Sequence, residues 1–164
     1  MRTIDVRSLV DNPGTSERVH VDETVAGLHT ELVDVSEDLP LHGDLLLEGV
    51  AEGVCVSGTV GGRMVMRCAR CLKEFDQDFD VRMDELFVRH AGPDDDYGLT
   101  EDLSLDPETM VRDAVVLAMP FSPLCKPGCL GLCERCGGDR NLGECTCSEP
   151  STDPRWAGLD GLIQ

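Results

Sequence analysis

Apolar residues alternate with polar or small residues through most of the first 90 positions, which is the pattern of β-strands. The strand-like runs are rich in Val, Leu and Met and are separated by Gly; they read ERVHV, LHGDLLLEGVAEGVCVSGTV and RMVMRC. One further strand is predicted in EFDQDFDVRMDELFVRH, because its apolar residues fall mainly at alternate positions. The pattern therefore predicts a β-rich domain over residues 1–91.

A glycine pair, Gly61-Gly62, divides two of the alternating runs. A two-residue turn at this pair would put the apolar residues of the two runs on opposite faces of a hairpin. A three-residue loop that ends at Arg63 pairs Val60 with Met64 and keeps both apolar sets on one face. The sequence therefore favours a hairpin with the three-residue loop.

One main helix is predicted over residues 106–120. Asp106 is a good N-cap, Pro107 suits the first helical position, and Pro120 ends the helix. Apolar residues recur between them at helical spacing and form a single stripe, made up of Met110, Val111, Ala114, Val115 and Ala118. We interpret this stripe as core that packs on the β-layer.

The remaining segments complete an α+β fold class with a barrel-like or curved antiparallel sheet, one main packing helix and a C-terminal cysteine-rich zinc module. Residues 92–105 are predicted to be an acidic linker or loop, with a docking strip for a basic partner as the alternative. Residues 121–147 form the cysteine-rich module. Residues 148–164 are predicted to be a tail with a short helix that begins at Asp153 and Pro154 and docks its apolar side chains, which are Trp156, Leu159 and Leu162.

The chain carries 32 acidic against 14 basic residues, a formal charge of -18 over 164 residues. Such a surface repels nucleic-acid phosphates and attracts basic partners. No apolar stretch approaches the roughly 18 residues that span a bilayer, and the start, MRTIDVRSLV, lacks the apolar run of an export signal. We therefore expect no membrane partner and a cytoplasmic location, where thiols stay reduced.

Eight of the nine cysteines fall into four close pairs, a spacing typical of metal ligands. The sequence CERCG is the strongest signal, because the Gly after its second Cys can adopt the positive φ of a metal-binding turn. Cys55 stands alone in a strand and is predicted to be a small buried residue. The four pairs are Cys68 and Cys71, Cys125 and Cys129, Cys133 and Cys136, and Cys145 and Cys147.

Zinc prefers four tetrahedral ligands, so the number of cysteines decides between two arrangements. The six cysteines of residues 125–147 would make one site with two thiols left over, whereas all eight make two complete sites. We predict two sites, with one site drawn from the last six cysteines as the alternative. The predicted sets are Cys68, Cys71, Cys125 and Cys129, and Cys133, Cys136, Cys145 and Cys147.

A site of four thiolates is closed, so the sequence predicts one or two structural zinc ions and no catalytic metal. Basic residues flank the pairs, and we expect them mainly to compensate the charge of the sulfurs, with nucleic-acid contact as an alternative. These residues are Arg67, Arg70, Lys73, Lys126, Arg135 and Arg140.

Other classes of cysteine chemistry fit the sequence less well. A thioredoxin-like site needs its first Cys at a helix N-terminus, but CARC follows a strand and runs into an alternating stretch. The odd number of cysteines weakens a disulfide framework. The four histidines lie in separate segments, and no motif of a hydrolase or phosphate-binding loop is found. We therefore expect neither an enzyme nor a small-molecule substrate.

Four sequence motifs, three of which contain cysteine, follow one another in the order CARCL, DPETMVRDAVVLAMPFSPLC, CLGLCERCGGDRNLGECTC and DPRWAGL. In this order the chain resembles the YceD family, the large ribosomal RNA subunit accumulation protein family, over about residues 40–162. GLCERCGGDRNL is the most specific part. Arg140 and Gly143 stand where family members typically carry Asn.

The resemblance implies a non-enzymatic accessory role in making or stabilising the RNA of the large ribosomal subunit. It also implies a large-subunit ribosomal protein or a pre-50S particle as partner. The net charge of -18 favours a basic protein as the main partner, with only local rRNA contact at the basic residues near the cysteines. The alternatives are a redox or metal-transfer protein that uses the CxxC thiols, and a zinc-dependent nucleic-acid-binding regulator.

Overall fold

A long antiparallel hairpin organises the computed structural model, which describes residues 1–147 and residue 155. Its strands β5 and β6 pair along their whole length, from Gly53 opposite Val88 to Arg67 opposite Glu74. The strands are β1 (Ile4–Asp5), β2 (Ser16–Glu23), β3 (Val33–Val35), β4 (Leu41–Gly49), β5 (Gly53–Arg67), β6 (Glu74–Val88) and β7 (Ser104–Leu105). The helices are α1 (Arg7–Asp11) and α2 (Pro107–Ala118).

The main sheet is antiparallel and curls into a half-barrel. Strand β4 pairs with the first part of β5 and β3 pairs with its last part, so both lie along one side of β5 while β6 lies along the other. Strand β2 extends the sheet beyond β4. The predicted fold class, α+β with a curved antiparallel sheet and a C-terminal cysteine-rich module, is confirmed.

The predicted hairpin at Gly61-Gly62 is wrong, because β5 runs through this pair without a turn. Val60 and Met64 lie on the same strand and do not pair. The glycines serve close packing: a Cβ on Gly61 would lie 2.3 Å from Oδ1 of Asp80, and one on Gly62 would lie 2.7 Å from a side-chain carbon of Leu41. The turn of the hairpin lies instead at residues 68–73, which carry CARC.

Helix α2 begins where the sequence indicates. Asp106 is the N-cap, and its Oδ1 accepts a hydrogen bond of 2.9 Å from the N–H of Glu108. The stripe on α2 packs against the concave face of the sheet through Met110, Val111 and Val115, all buried. Ala118 is exposed, and the buried residue at the C-terminal end is Met119.

The acidic segment 92–105 is attached to the sheet at two places. Tyr97 stacks on Phe87 with ring centroids 5.3 Å apart, and the N–H of Leu99 donates to the carbonyl of Val88. Its end forms β7, which pairs with β1 in a separate two-stranded sheet. The tail predicted over 148–164, with its helix from Asp153 and Pro154, lies outside the described residues except for residue 155. No helix in the described part of the chain is long and apolar enough to cross a bilayer.

Candidate metal centres

The structure brings the eight paired cysteines together in two groups of four. Within each group the four sulfur atoms all lie within 4.8 Å of one another. The inner cluster is Cys68, Cys71, Cys125 and Cys129, and the outer cluster is Cys133, Cys136, Cys145 and Cys147. All nine cysteines are free of disulfides.

The inner cluster joins the turn of the hairpin to the segment that follows α2. In the turn, the N–H of Cys68 donates to the carbonyl of Lys73 at 2.9 Å, and Leu72 adopts a positive φ of 60°. Two backbone hydrogen bonds tie the segments together, from Ala69 N–H to the Pro123 carbonyl and from Leu132 N–H to the Arg70 carbonyl. The backbone therefore holds the two cysteine pairs face to face.

The spacing of the inner sulfurs fits a tetrahedral metal ion. The Sγ atoms of Cys68 and Cys129 lie 3.8 Å apart, and those of Cys71 and Cys125 lie 3.6 Å apart. Four thiolates at the usual zinc–sulfur distance of about 2.3 Å lie about 3.8 Å apart at the corners of a tetrahedron. Cys68, Cys71 and Cys129 are buried, so an ion there would be shielded from water.

The outer cluster draws all its sulfurs from one loop. Gly137 follows the CERC pair with φ of 72°, and its N–H donates to the carbonyl of Cys133 at 2.8 Å. Gly143 takes a similar conformation, with φ of 71°, ahead of Cys145. Two members of this cluster are exposed and two are half-buried, so it is the more open of the two.

Backbone N–H groups favour a thiolate in each cluster. Burial alone would raise the pKa of Cys68, but the N–H groups of Cys125, Cys71 and Arg70 lower it to about 6. In the outer cluster the N–H groups of Cys136 and Arg135 lower the pKa of Cys133 to about 6. The last proton of each cluster is held more tightly, because burial raises the pKa of Cys125 to about 12 and the thiol hydrogen bond with Cys136 raises that of Cys147 to about 12. For all four cysteines of a cluster to be thiolates, a bound cation must therefore compensate their charge.

Asp139 and Asn141 connect the two clusters, and sequence analysis did not single them out as a link. Oδ2 of Asp139, a buried carboxylate, lies 2.9 Å from Nζ of Lys73 in the hairpin turn. Oδ1 of Asp139 accepts from both N–H groups of Asn141, at 2.8 Å each. Nδ2 of Asn141 also lies 3.5 Å from Sγ of Cys129. The outer loop is thus anchored on the inner cluster.

The signal for this link was in the sequence, in the GDRNL stretch between the two cysteine pairs of the outer loop. Lys73, with further contributions from Asn141, lowers the pKa of Asp139 to about 2. The carboxylate is therefore ionised at any pH at which the thiolates are ionised. Asp139 and Asn141 therefore lie where polar residues commonly hold the ligands of a metal site in position.

Some of the flanking basic residues pair with carboxylates and not with the sulfurs whose charge they were expected to compensate. Lys73 pairs with Asp139, and Nη2 of Arg67 lies 3.2 Å from Oε1 of Glu74. Arg70 is closest to the expected role, because its Nη1 donates to the carbonyl of Cys129 at 2.9 Å.

Cys55, the unpaired cysteine, is half-buried on the convex face of β5, so the expected full burial is wrong. Its Sγ lies 3.6 Å from Oδ1 of Asp84. Alternation along the strand explains the difference, because the neighbours Val54 and Val56 point into the core.

Comparison with known proteins places these clusters in a family context. The sequence profile described as large ribosomal RNA subunit accumulation protein YceD matches residues 56–163, which include all eight clustered cysteines. The chain belongs to the YceD family. The family name implies a role in the accumulation of large-subunit ribosomal RNA.

Relatives extend the similarity beyond the matched region of the YceD profile. An uncharacterized protein of Mycobacterium tuberculosis strain H37Rv is 38% identical over 175 aligned positions, which cover 98% of this chain and 81% of the relative. An uncharacterized protein of Mycobacterium leprae is 32% identical and covers 85% of this chain and 67% of its own length. Bacillus subtilis YlbN, also uncharacterized, is 26% identical, with 87% of each chain covered. No solved structure matches this chain.

Proposed function

We propose that this YceD-family chain is a non-enzymatic accessory factor of large-subunit biogenesis that acts in the cytoplasm. It binds a basic large-subunit ribosomal protein, a pre-50S particle, or both. Its cysteine module is held by two structural zinc ions, one in each cluster. The observation that carries the proposal is the pair of four-cysteine clusters within the region matched by the YceD profile.

The structural role of the metals follows from the composition of the module. Between residues 130 and 147 no large apolar side chain is fully buried: Leu130 and Leu142 are 58% and 62% exposed, and Leu132 is half-buried against the inner cluster. A segment with so little apolar burial cannot offset the entropy of ordering its backbone. Closed thiolate sites supply that stabilisation, and they leave no coordination position for a substrate.

The main partner follows from the charge of the chain. A net charge of -18 attracts a basic protein over a broad face and repels the phosphates of naked RNA. Ribosomal proteins that are not yet bound to rRNA expose strongly basic surfaces. A transient acidic partner would keep such a protein soluble before it is placed.

Contact with RNA is proposed only at the outer cluster. A groove of about 280 Å³ there is lined by three basic residues, Arg70, Arg135 and Arg140, and by one acid, Glu134. Within residues 1–147, Arg135 and Arg140 have no carboxylate partner. Arginines with free guanidinium groups suit the bidentate recognition of phosphate.

Two measurements test the proposal. Native mass spectrometry of freshly purified protein should show two zinc ions per chain, and the ions should stay bound under mild oxidant. Loss of metal with disulfide formation under those conditions would support a redox or metal-transfer protein instead. Sedimentation should place the protein with pre-50S particles, and failure to bind either these particles or any basic ribosomal protein at moderate salt would refute the proposed role.

The Arg groove has its own test. Replacing Arg135 and Arg140 by Gln should weaken binding to rRNA fragments and lower the salt dependence of binding by about one to two units of slope. The matched control is the double variant Arg18→Gln and Arg89→Gln, which removes two exposed arginines that do not line the groove. Equal RNA binding by the groove variant and the wild type would remove RNA contact from the proposal.

A further inference from the structure

One long edge of the main sheet is unpaired among the described residues. Strand β6 pairs with β5 on one side, and on the other side its backbone bonds are confined to Val88, whose N–H donates to the carbonyl of Tyr97 and whose carbonyl accepts from Leu99. From Glu74 to Phe87 no further backbone partner is found within residues 1–147. A long exposed edge is a template for another strand.

The alternation of the ladder identifies which residues offer their backbone at this edge. Lys73 bonds across the hairpin, because its carbonyl accepts from Cys68, the residue that follows β5. Val88 bonds in the opposite direction, toward Tyr97 and Leu99. Since the direction alternates in an antiparallel pair, the even-numbered residues from 74 to 86 point their N–H and carbonyl groups away from β5.

The side chains of these same residues make the edge acidic. These side chains project from the convex face of the sheet and are all exposed. The charged ones are Glu74, Asp76, Asp78, Asp80, Arg82 and Asp84. Arg63 on β5 lies 3.2 Å from Asp76 and 2.8 Å from Asp78, and it approaches them from the side away from the free edge. Asp80 has no cationic partner within residues 1–147.

The other side of the edge is apolar. A groove of about 470 Å³ lies between β6 and residues 118–127. Phe75 and Phe79 of β6 line it together with Leu124, and so does Asp78, which places the groove directly at the free edge. Two residues next in sequence to its lining are also exposed, Phe121 fully and Leu117 to 86%. An added strand would therefore meet acids on one face and an apolar groove on the other.

We propose that the free edge of β6 binds an extended segment of a basic protein by strand addition. The partner's backbone pairs with the even-numbered residues of β6, its Lys or Arg side chains lie beside the acids, and its alternate apolar side chains enter the groove. This inference rests on the proposed function, and it names the surface and the conformation through which the basic partner is held.

The charge of the edge decides against a second copy of this chain as occupant. Two β6 edges brought together would place Glu74, Asp76, Asp78, Asp80 and Asp84 of one chain beside the same acids of the other, with Arg82 as the one basic residue in each row. Like charges opposite one another destabilise a strand pair. The row of acids thus blocks self-association and accepts a strand of the opposite charge.

Amide exchange measured by NMR on the full chain tests the proposal, with a synthetic peptide of alternating Lys and Val as probe. Binding should protect the N–H groups of Asp76, Asp78, Asp80 and Arg82, while the odd-numbered amides, already bonded to β5, stay unchanged. The same peptide with N-methylated backbone should not protect them. Protection without alternation, or equal binding of the N-methylated peptide, would overturn strand addition.

A pair of variants at one position separates backbone from charge. Asp80→Pro removes an N–H that makes no bond to β5 and should weaken peptide binding by about tenfold or more, because a paired donor is lost. Asp80→Asn keeps the N–H and should weaken binding by about threefold at most. Equal affinity of Asp80→Pro and wild type would refute the proposal. Thermal unfolding of each variant shows whether the fold is kept, and the exchange pattern of the wild type decides the question if Asp80→Pro unfolds.

Two further outcomes keep this inference distinct from the proposed function. If wild type binds pre-50S particles while the peptide leaves the β6 amides unprotected, the strand-addition surface is wrong and the proposed function stands. If neither particles nor basic ribosomal proteins bind, the proposed function itself fails. Protection of the β6 amides that grows with protein concentration in the absence of peptide would identify a second copy as the occupant and overturn the proposal.

Discussion

Replacing Cys71 by serine tests whether the turn between β5 and β6 supplies metal ligands. The change removes one sulfur from the inner cluster and leaves all four sulfurs of the outer cluster in place. We therefore expect the metal content to fall from two ions per chain to one. The matched variant Cys136→Ser changes the outer cluster and should also leave one ion, so the two variants differ in which ion remains.

The size of the effect follows from the geometry of the inner cluster. Sγ of Cys71 forms one edge of the sulfur tetrahedron with Sγ of Cys125, 3.6 Å away. A serine hydroxyl is shorter and stays protonated, so it does not replace the thiolate. Changes to residues that only support a ligand lower metal affinity by about 10- to 100-fold, so loss of the ligand itself should lower it by at least about 100-fold.

Native mass spectrometry counts the ions, and competition with a chromophoric chelator gives the affinity of the ion that remains. Hydrogen exchange then locates the damage. In Cys71→Ser the N–H groups of Ala69 and Leu132, which join the turn to the segment after α2, should exchange faster. The N–H groups of Val56 and Val60, in the core of the sheet, should be unaffected. Retention of both ions by Cys71→Ser would show that CARC is not a ligand pair.

Three further predictions follow, two from the clusters and their supports and one from Tyr97. A chelator should remove metal in two phases, because the outer cluster is the more exposed, and the phase that is fast in wild type should be missing in Cys136→Ser. Lys73→Met should speed hydrogen exchange across residues 130–147, because it removes the cation that pairs with the buried Asp139. The control Lys126→Met should leave the exchange unchanged, because Lys126 is exposed and has no ion pair within residues 1–147. Burial, with the hydrogen bond to Asp113, raises the pKa of Tyr97 to about 12, so its ultraviolet titration should have a midpoint near that value and fall in Asp113→Asn. Because the folded pKa exceeds the unfolded one of about 10, this contribution to stability is present below pH 10 and should be lost between about pH 10 and pH 12.

The sequence was most informative where a local pattern determines the structure. Asp106 and Pro107 mark the start of α2 by their capping chemistry alone, and the alternation of apolar residues predicts a sheet with one buried face. The grouping of cysteines into two fours followed from counting close pairs. In the helix cap, the strand alternation and each close cysteine pair, the residues that decide the outcome are neighbours in the chain, whereas the joining of two distant pairs in the inner cluster was inferred from the number of ligands that zinc requires.

The errors arose where contacts between distant residues decide. Gly61-Gly62 carries a turn signal, but the glycines are needed for the close approach of Asp80 and Leu41, which no local pattern reveals. The link from Lys73 to Asp139 joins residues far apart in the sequence, so it appears only when the hairpin turn and the outer loop are placed together. The free edge of β6 likewise follows from the order of the strands, since pairing partners are a property of the whole sheet.

A metal ion would contribute differently to stability in each of the two clusters. The inner cluster takes two sulfurs from the hairpin turn of a sheet with its own apolar core and two from the segment after α2, so an ion bound there would add to a fold that already exists. The outer cluster takes all four sulfurs from a loop in which Leu130 and Leu142 are exposed and Leu132 is only half-buried, so an ion bound there would be the main source of that loop's order. Partial removal of metal should therefore first disorder the groove that Arg135 and Arg140 line and leave the edge of β6 intact. A protein depleted of its outer ion should lose RNA contact and still bind a basic strand, which separates the two proposed binding activities in a single preparation.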